Sequence, residues 1–141
     1  MSNLDLFNLH AARLLAQLYD EFPIARGIED VDTAFPPAAR TGRLDDTPEV
    51  RHAAQVAQQT RLWLRDTGYL IERQQAGLNR YVLSPKALEV LNAAPASLAV
   101  KETLGTQLTK ATKDAAAEGT KKLFADLIGQ VIGSAMKSMS S

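Results

Sequence analysis

The sequence contains no cysteine, which excludes disulfide bonds and thiolate ligands for a metal ion. Its two histidines, His10 and His52, are far apart and lack the spacing of a metal site, so each is interpreted as an ordinary helix-face residue. The chain also lacks a phosphate-binding loop, an HExxH motif and a GxSxG motif. We therefore expect no metal, no cofactor and no enzymatic activity.

No apolar run approaches the roughly 18 residues that a membrane-spanning helix requires. The N-terminal segment includes Asp5 and no basic stretch, unlike a secretion signal, so we expect a cytoplasmic protein. A hydrophobic content of 45% and a charged content of 23% are typical of soluble globular proteins. The formal net charge is zero, which argues against strong nonspecific binding to nucleic-acid phosphates.

Charge is nevertheless distributed unevenly along the chain. Residues 1–46 contain four arginines and eight acidic residues, residues 47–80 five arginines and three acidic residues, and residues 81–141 seven lysines and five acidic residues. Arginines end at Arg80 and lysines begin at Lys86, which is either a domain boundary or an accident of composition. We predict a domain of residues 1–95 followed by a helical extension of residues 96–141.

Apolar residues recur at three- and four-residue steps from Leu4 to Phe22, which predicts a helix that Pro23 ends. A brief edge strand is predicted next, at residues 24–28. The following residues 29–46 are acidic and interrupted by proline and glycine, so we expect them to be irregular.

A second helix is predicted to follow the N-cap Thr47, with Pro48 at its first position, and to run to Thr67, where Gly68 ends it. At about 100° per residue, its buried face comprises Val50, Ala53, Ala54, Val56, Ala57, Thr60, Leu64 and Thr67. Its opposite face comprises Arg51, His52, Gln55, Gln58, Gln59, Leu62, Arg65 and Asp66. Trp63 lies at the margin and is interpreted as a core or seam residue.

Two β-prone runs, residues 69–73 and 79–83, flank a glycine-containing loop and predict a hairpin. Ser84 is then expected to cap a short helix of residues 86–92, which residues 94–95 close. The fold class predicted from these elements is mostly α with a small β-hairpin, followed by C-terminal helices.

The C-terminal extension carries two apolar stripes at helical spacing. They comprise Leu104, Leu108, Ala111 and Ala115, and then Phe124, Leu127, Ile128, Val131, Ile132, Ala135 and Met136. On one continuous helix the stripes would lie about 180° apart, so we predict two helices broken at Gly119-Thr120. One long helix whose ends pack against different partners is the alternative.

We predict that these two apolar stripes mediate self-association. The residues predicted to form an oligomer interface are Leu104, Leu108, Phe124, Leu127, Ile128, Val131 and Ile132. Gly129 and Gly133 have the spacing that permits close approach of two helices. Docking of the extension onto the core is the other interpretation of the same pattern.

Two runs carry a family resemblance: LWLRDTGYLI at residues 62–71 and YVLSPKAL at residues 81–88. They resemble the recognition helix, Gly-Tyr-Ile wing and Leu-Thr-x-x-Gly helix of bacterial winged helix-turn-helix proteins, with Ser-Pro-Lys-Ala in place of Thr-x-x-Gly. The resemblance covers about residues 4–93. It implies that the helix of residues 47–67 enters the DNA major groove and that residues 74–80 form the wing tip.

One segment departs from this family pattern. The second helix of the motif should fall within residues 31–42, where Pro36 and Pro37 predict only a short or distorted helix. The acidic residues that flank this segment would face the wrong way for DNA; they are Glu29, Asp30, Asp32, Asp45 and Asp46.

The leading hypothesis is a dimeric, DNA-binding transcriptional regulator. The residues expected to read base edges are Arg51, Gln55, Gln58, Gln59 and Arg65, while Arg73 and Arg80 bind phosphate from the wing. The arginine- and glutamine-rich face could equally be a solvated helix surface. Two other interpretations are a winged-helix adaptor that binds protein through its C-terminal helices, and a peripheral membrane protein that uses residues 121–137.

Overall fold

The computed structural model describes residues 1–37, 40, 42–93, 102–113 and 121–140, with only the helix backbone for residues 135–140. This part of the chain is mostly α-helical with one small antiparallel hairpin, as the sequence predicts. The helices are α1 (Asn3–Glu21), α2 (Asp30–Ala34), α3 (Pro48–Asp66), α4 (Pro85–Asn92), α5 (Leu104–Lys113) and α6 (Lys121–Ser140), and the strands are β1 (Leu70–Gln75) and β2 (Leu78–Leu83).

Helix α1 forms the centre of the core. Its start is fixed by a capping box, in which the Ser2 hydroxyl accepts from the Asp5 backbone N–H and the Asp5 carboxylate accepts from the Ser2 N–H, both at 3.1 Å. The buried residues of α1 are Leu9, His10, Ala11, Ala12, Leu14, Leu15, Ala16 and Leu18. Because α1 contacts α2, α3, α5, α6 and β2, its apolar residues hold most of the fold together.

The segment between α1 and α3 is less irregular than predicted for residues 29–46. It contains α2, a helix of five residues that Pro36 and Pro37 prevent from continuing. The edge strand predicted at residues 24–28 is reduced to a single antiparallel bridge between Arg26 and Tyr81. The two backbone N–H groups of this bridge donate to the opposing carbonyls at 2.8 and 2.7 Å.

Helix α3 begins and ends close to the predicted residues. The Thr47 hydroxyl accepts from the Val50 N–H at 3.2 Å, and Gly68 follows the helix with a φ of 87°. The buried side chains of α3 are Ala53, Ala57, Thr60 and Leu64. Ala53 and Ala57 pack with Ala34, so the close packing allowed by small residues lies partly against α2.

The hairpin strands are longer than predicted. The expected loop of residues 74–78 is a two-residue turn at Ala76 and Gly77, with φ values of 53° and 77°. Positive φ at both turn residues is typical of tight hairpins, because it matches the twist of the strands. After β2, the Ser84 hydroxyl accepts from the Ala87 N–H at 3.1 Å and caps α4.

The C-terminal helices α5 and α6 pack against α1 and α4. The apolar stripes from which an oligomer interface was predicted are covered by the chain itself, which fits the other interpretation, docking onto the core; self-association through them stays a prediction. Leu104, Leu108, Phe124, Leu127, Ile128 and Val131 are at most 2% exposed, and Ile132 is partly buried. Periodicity predicts that a face is buried, but it does not say whether the same chain or another copy buries it.

A single core therefore includes residues from both sides of the predicted division at residue 95. That division, and the helix break predicted at Gly119-Thr120, lie outside the described residues and stay predictions.

Candidate nucleic-acid interface

The outer face of α3 presents the side chains that the sequence predicts to be exposed. Arg51, Gln55, Gln58 and Gln59 are all exposed, on the side of the helix opposite the buried Ala57. Within the described residues, α5 and α6 pack mainly against α1 and α4, and these four side chains stay exposed. A glutamine amide both donates and accepts, and a guanidinium donates in several directions, so the face can hydrogen-bond to base edges or to a polar protein surface.

Arg51 is only loosely paired. Its Nε lies 3.6 Å from Oδ1 of Asp46, and the two side chains are 65% and 77% exposed. A solvent-exposed pair of this kind contributes little and exchanges partners readily. Arg51 can therefore leave Asp46 for a phosphate or a base.

Arg65 is held differently from what the sequence predicts. Its Nη1 donates to the Glu72 carboxylate at 2.9 Å, and its Nε and Nη2 donate to Asp66 at 3.1 and 3.0 Å. The hydrogen bonds to Glu72 and then to Asp66 raise the pKa of Arg65. Two carboxylates thus occupy the guanidinium that was expected to read a base, and Arg65 joins the end of α3 to β1.

The hairpin concentrates positive charge near its tip. Arg73 on β1 lies directly opposite Arg80 on β2 in the strand register, so both side chains project from the same face. Neither forms an ion pair within the described residues, and the Arg80 Nε is buried without a hydrogen-bond partner there. Like charges at opposing positions repel each other, and an anion bound between them would relieve that repulsion.

The sequence did not single out Arg61, a residue of α3 that links this surface to α2 and β2. Its Nη1 donates to the Tyr81 hydroxyl at 2.6 Å, and its guanidinium pairs with Asp30 of α2. The hydrogen bond with Asp30 raises the pKa of Arg61 against the opposing effect of burial. Asp30 and Asp32, expected to face DNA unfavourably, are instead paired with arginines of the chain, Arg61 and Arg40.

An apolar groove borders the outer face of α3. It has a volume of about 630 Å³, and its lining includes Phe7, Val56, Trp63 and Ile132 together with Gln55 and Gln59 of α3. Trp63 is 41% exposed, and its ring meets that of Phe7 edge to face at 5.2 Å. Trp63 is therefore a seam residue, as predicted, with part of its surface open to a partner.

The two histidines lie in different surroundings. His52 is exposed, with its Nε2 2.9 Å from Oδ1 of Asn3, whereas His10 is fully buried. Burial, and after it the charge of Arg13, lowers the pKa of His10 to about 4. Within the described residues, no group of three or more histidine, cysteine or acidic side chains is placed to hold a metal ion.

The face of α6 that was considered for membrane binding packs into the core through Phe124, Leu127 and Ile128. None of the helices described is both long enough and apolar enough to cross a membrane. Comparison with protein-family models, curated proteins and solved structures found no match to this chain.

Proposed function

We propose that this chain is a winged-helix DNA-binding protein acting in transcriptional regulation, with α3 as the groove-reading helix and the hairpin as the wing. The order of elements supports the proposal: α1, the bridged strand at Arg26, α2, α3 and then β1 and β2. This order is compatible with the layout of a winged helix, in which the bridge between Arg26 and Tyr81 would take the place of the first strand.

The main support for the proposal is that the polar outer face of α3 is followed directly by a hairpin with two arginines side by side near its tip. Gln55, Gln58 and Gln59 form an exposed amide row on α3, while the exposed Arg73 and the partly buried Arg80 lie side by side on one face of the hairpin that follows it. Glutamine can bind adenine through two hydrogen bonds, and arginine can bind guanine or phosphate. The helix would supply base contacts, and the wing would supply phosphate contacts.

The ion pairs of the arginines on α3 determine how strongly we expect the chain to bind duplex DNA. Arg65 is occupied by Glu72 and Asp66, and Arg51 is close to Asp46, so few guanidinium groups remain for phosphate. Since phosphate contacts supply most nonspecific affinity, a single copy would bind duplex DNA weakly. Two copies on a symmetric site would double these contacts, which is why we propose a dimer on DNA.

The proposal is tested by fluorescence anisotropy of the full chain on random duplex DNA at low salt and during a salt titration. We expect micromolar binding that weakens as salt is added. Gln55→Glu and Gln58→Glu should each reduce affinity, because they add negative charge to the proposed DNA-facing surface. Gln130→Glu makes the same change on the exposed side of α6 and is the matched control.

Absence of binding at low salt, or an equal loss in the Gln130→Glu control, would contradict DNA recognition by α3. The second candidate is then a protein-binding winged-helix adaptor. It is favoured by the apolar groove next to α3, where Trp63 is 41% exposed. In that case Val56→Glu, which places a charge in the groove, should abolish partner binding, whereas Gln130→Glu should not.

A further inference from the structure

Another concave site lies between α1 and the segment that follows α2. Its volume is about 650 Å³, within the range of small-molecule pockets. Its apolar lining includes Leu6 and Leu9 of α1, and Phe35 and Leu44 of the segment between α2 and α3. Helix α3 reaches the pocket only through Ala53, so the pocket is separate from the proposed DNA-facing surface.

The charged side chains around this pocket are all of one sign. Arg13, Arg40 and Arg43 line it, and its lining as described contains no carboxylate. Arg40 is paired with Asp32, which is not part of the lining, whereas Arg43 is exposed and has no ion pair within the described residues.

Arg13 is a partly buried member of this group. Its Nη1 donates to the carbonyl oxygens of Thr33 and Ala34, each at 3.0 Å, and burial lowers its pKa. Arg13 has no carboxylate within ion-pair distance in the part of the chain described here. A partly buried guanidinium with only carbonyl partners retains unused donors for an anion.

His10, in the lining of the same pocket, also has polar atoms for which the described residues supply no hydrogen-bond partner. It belongs to the pocket lining, it is 0% exposed, and both of its ring nitrogens are buried without a hydrogen-bond partner among the described residues. Buried polar atoms in proteins are nearly always hydrogen-bonded to protein, water or ligand. His10 therefore adds unsatisfied polar atoms just beneath the wall of this pocket.

We propose that this pocket binds a small apolar carboxylate, with its hydrocarbon part against Leu9 and Phe35 and its carboxylate toward Arg13 and Arg43. The apolar walls match a hydrocarbon chain, and Arg13 and Arg43, which have no ion pair within the described residues, match one negative charge. A neutral ligand would leave Arg13 and Arg43 without an anionic partner, and a cation would be repelled. The inference does not depend on whether the chain binds DNA.

Octanoate is the probe, compared with 1-octanol and butyrate. Backbone amide chemical shifts of the full-length protein would be followed by NMR during each titration. We expect octanoate to bind in the millimolar range or tighter and to shift the amides of Leu9, Phe35 and Leu44. Butyrate has four fewer methylene groups and should bind at least about tenfold more weakly, because each buried methylene is favourable by about 0.8 kcal/mol.

Charge recognition is tested with Arg43→Gln, which removes an exposed guanidinium that makes no structural ion pair. It should weaken octanoate binding on the order of fivefold, the upper range for a solvent-exposed ion pair, and leave 1-octanol binding unchanged. Lys113→Gln removes an exposed charge from α5 and should have no effect. The proposal is overturned if octanoate does not bind, if 1-octanol binds as tightly, if shifts map to α3 instead, or if both variants bind octanoate as wild type does.

Discussion

Arg61 on α3 and Asp30 on α2 form a two-pronged ion pair, in which Nε donates to Oδ1 at 2.9 Å and Nη2 donates to Oδ2 at 3.0 Å. Their side chains are only 14% and 22% exposed. The same guanidinium bonds to Tyr81, whose backbone forms the bridge to Arg26. One arginine thus fixes the short helix α2, the proposed groove-reading helix and the wing relative to one another.

This arrangement predicts that Arg61→Met lowers the free energy of unfolding by about 3 kcal/mol, because Asp30 is left with an uncompensated, partly buried charge. Chemical denaturation would measure the change. Adding Asp30→Asn to the first variant should recover part of the loss. Arg51→Met breaks the exposed pair with Asp46 and should cause little measurable change. Equal effects of the two arginine substitutions would show that Arg61 has no bracing role.

The wing makes a prediction about the salt dependence of DNA binding. If Arg73 and Arg80 each contact a phosphate, replacing both by glutamine should make the negative slope of log affinity against log salt shallower by about 2, at roughly 0.9 for each contact. Lys113→Gln should leave the slope unchanged. A slope that does not respond to the double variant, in a protein that binds duplex DNA, would mean that the wing tip does not touch the backbone.

Local signals in the sequence predicted much of the fold. Thr47 and Ser84 cap their helices as expected, and Gly68 ends α3 with a positive φ, because capping depends on residues within one helical turn. The hairpin was predicted for the same reason, although its turn is tighter. An edge strand was predicted at residues 24–28, but the structure has only a single bridge at Arg26. A short run of alternating apolar residues does not indicate how many backbone groups will form hydrogen bonds to another strand.

Side-chain partners were harder to predict. The exposed row of Gln55, Gln58 and Gln59 follows from helical spacing alone. The pairing of Arg65 with Glu72 depends on where β1 returns after the turn, and the pairing of Arg61 with Asp30 joins residues from separate helices. Such contacts have no local signature, so neither the ion pairs of Arg65 nor those of Arg61 could be foreseen.

Two helix glycines test the packing of the C-terminal helices, because the space for an added side chain is filled at Gly105 and open at Gly133. A Cβ added to Gly105 would lie 2.5 to 2.6 Å from ring atoms of Tyr19, whose hydroxyl donates to Asn92 at 3.0 Å. Gly105→Ala should therefore lower the free energy of unfolding by about 1–3 kcal/mol.

Gly133 in α6 is the control, because no atom of the described residues lies within 4 Å of an added Cβ there. Gly133→Ala should raise the free energy of unfolding by about 1 kcal/mol, through helix propensity. Thermal denaturation would compare the two variants. Stabilisation by both would show that Tyr19 does not close over Gly105. Weaker self-association of Gly133→Ala would support close helix contact between copies, as its spacing with Gly129 first indicated.

His10 predicts a pH dependence of stability. Its pKa falls from 6.5 to about 4 on folding, through burial first and the charge of Arg13 second. The unfolded chain therefore binds a proton that the folded chain excludes, so stability is full above pH 6.5 and is lost as the pH falls toward 4. The loss should be about 3 kcal/mol.

Chemical denaturation across this pH range would compare wild type with His10→Leu, which has no imidazole to titrate. The difference in unfolding free energy between the two proteins should change with pH, while His52→Gln should follow the wild-type curve. Parallel curves for wild type and His10→Leu would contradict the burial of a neutral imidazole.

Neighbouring residues of α6 distinguish core docking from self-association. Phe124 is 1% exposed within the core, whereas Leu123 is 45% exposed. Phe124→Ala should lower the free energy of unfolding by about 3–5 kcal/mol, because it leaves a cavity, while Leu123→Ala should have little effect. Sedimentation of both variants would be run beside denaturation. A Phe124→Ala protein with unchanged stability and a smaller assembly mass would restore the oligomer interface that the stripes first suggested. Reduced stability of the folded protein, at an unchanged assembly mass, would instead show that Phe124 belongs to the contacts that hold α6 to α1. Any dimer on DNA would then have to form through another surface.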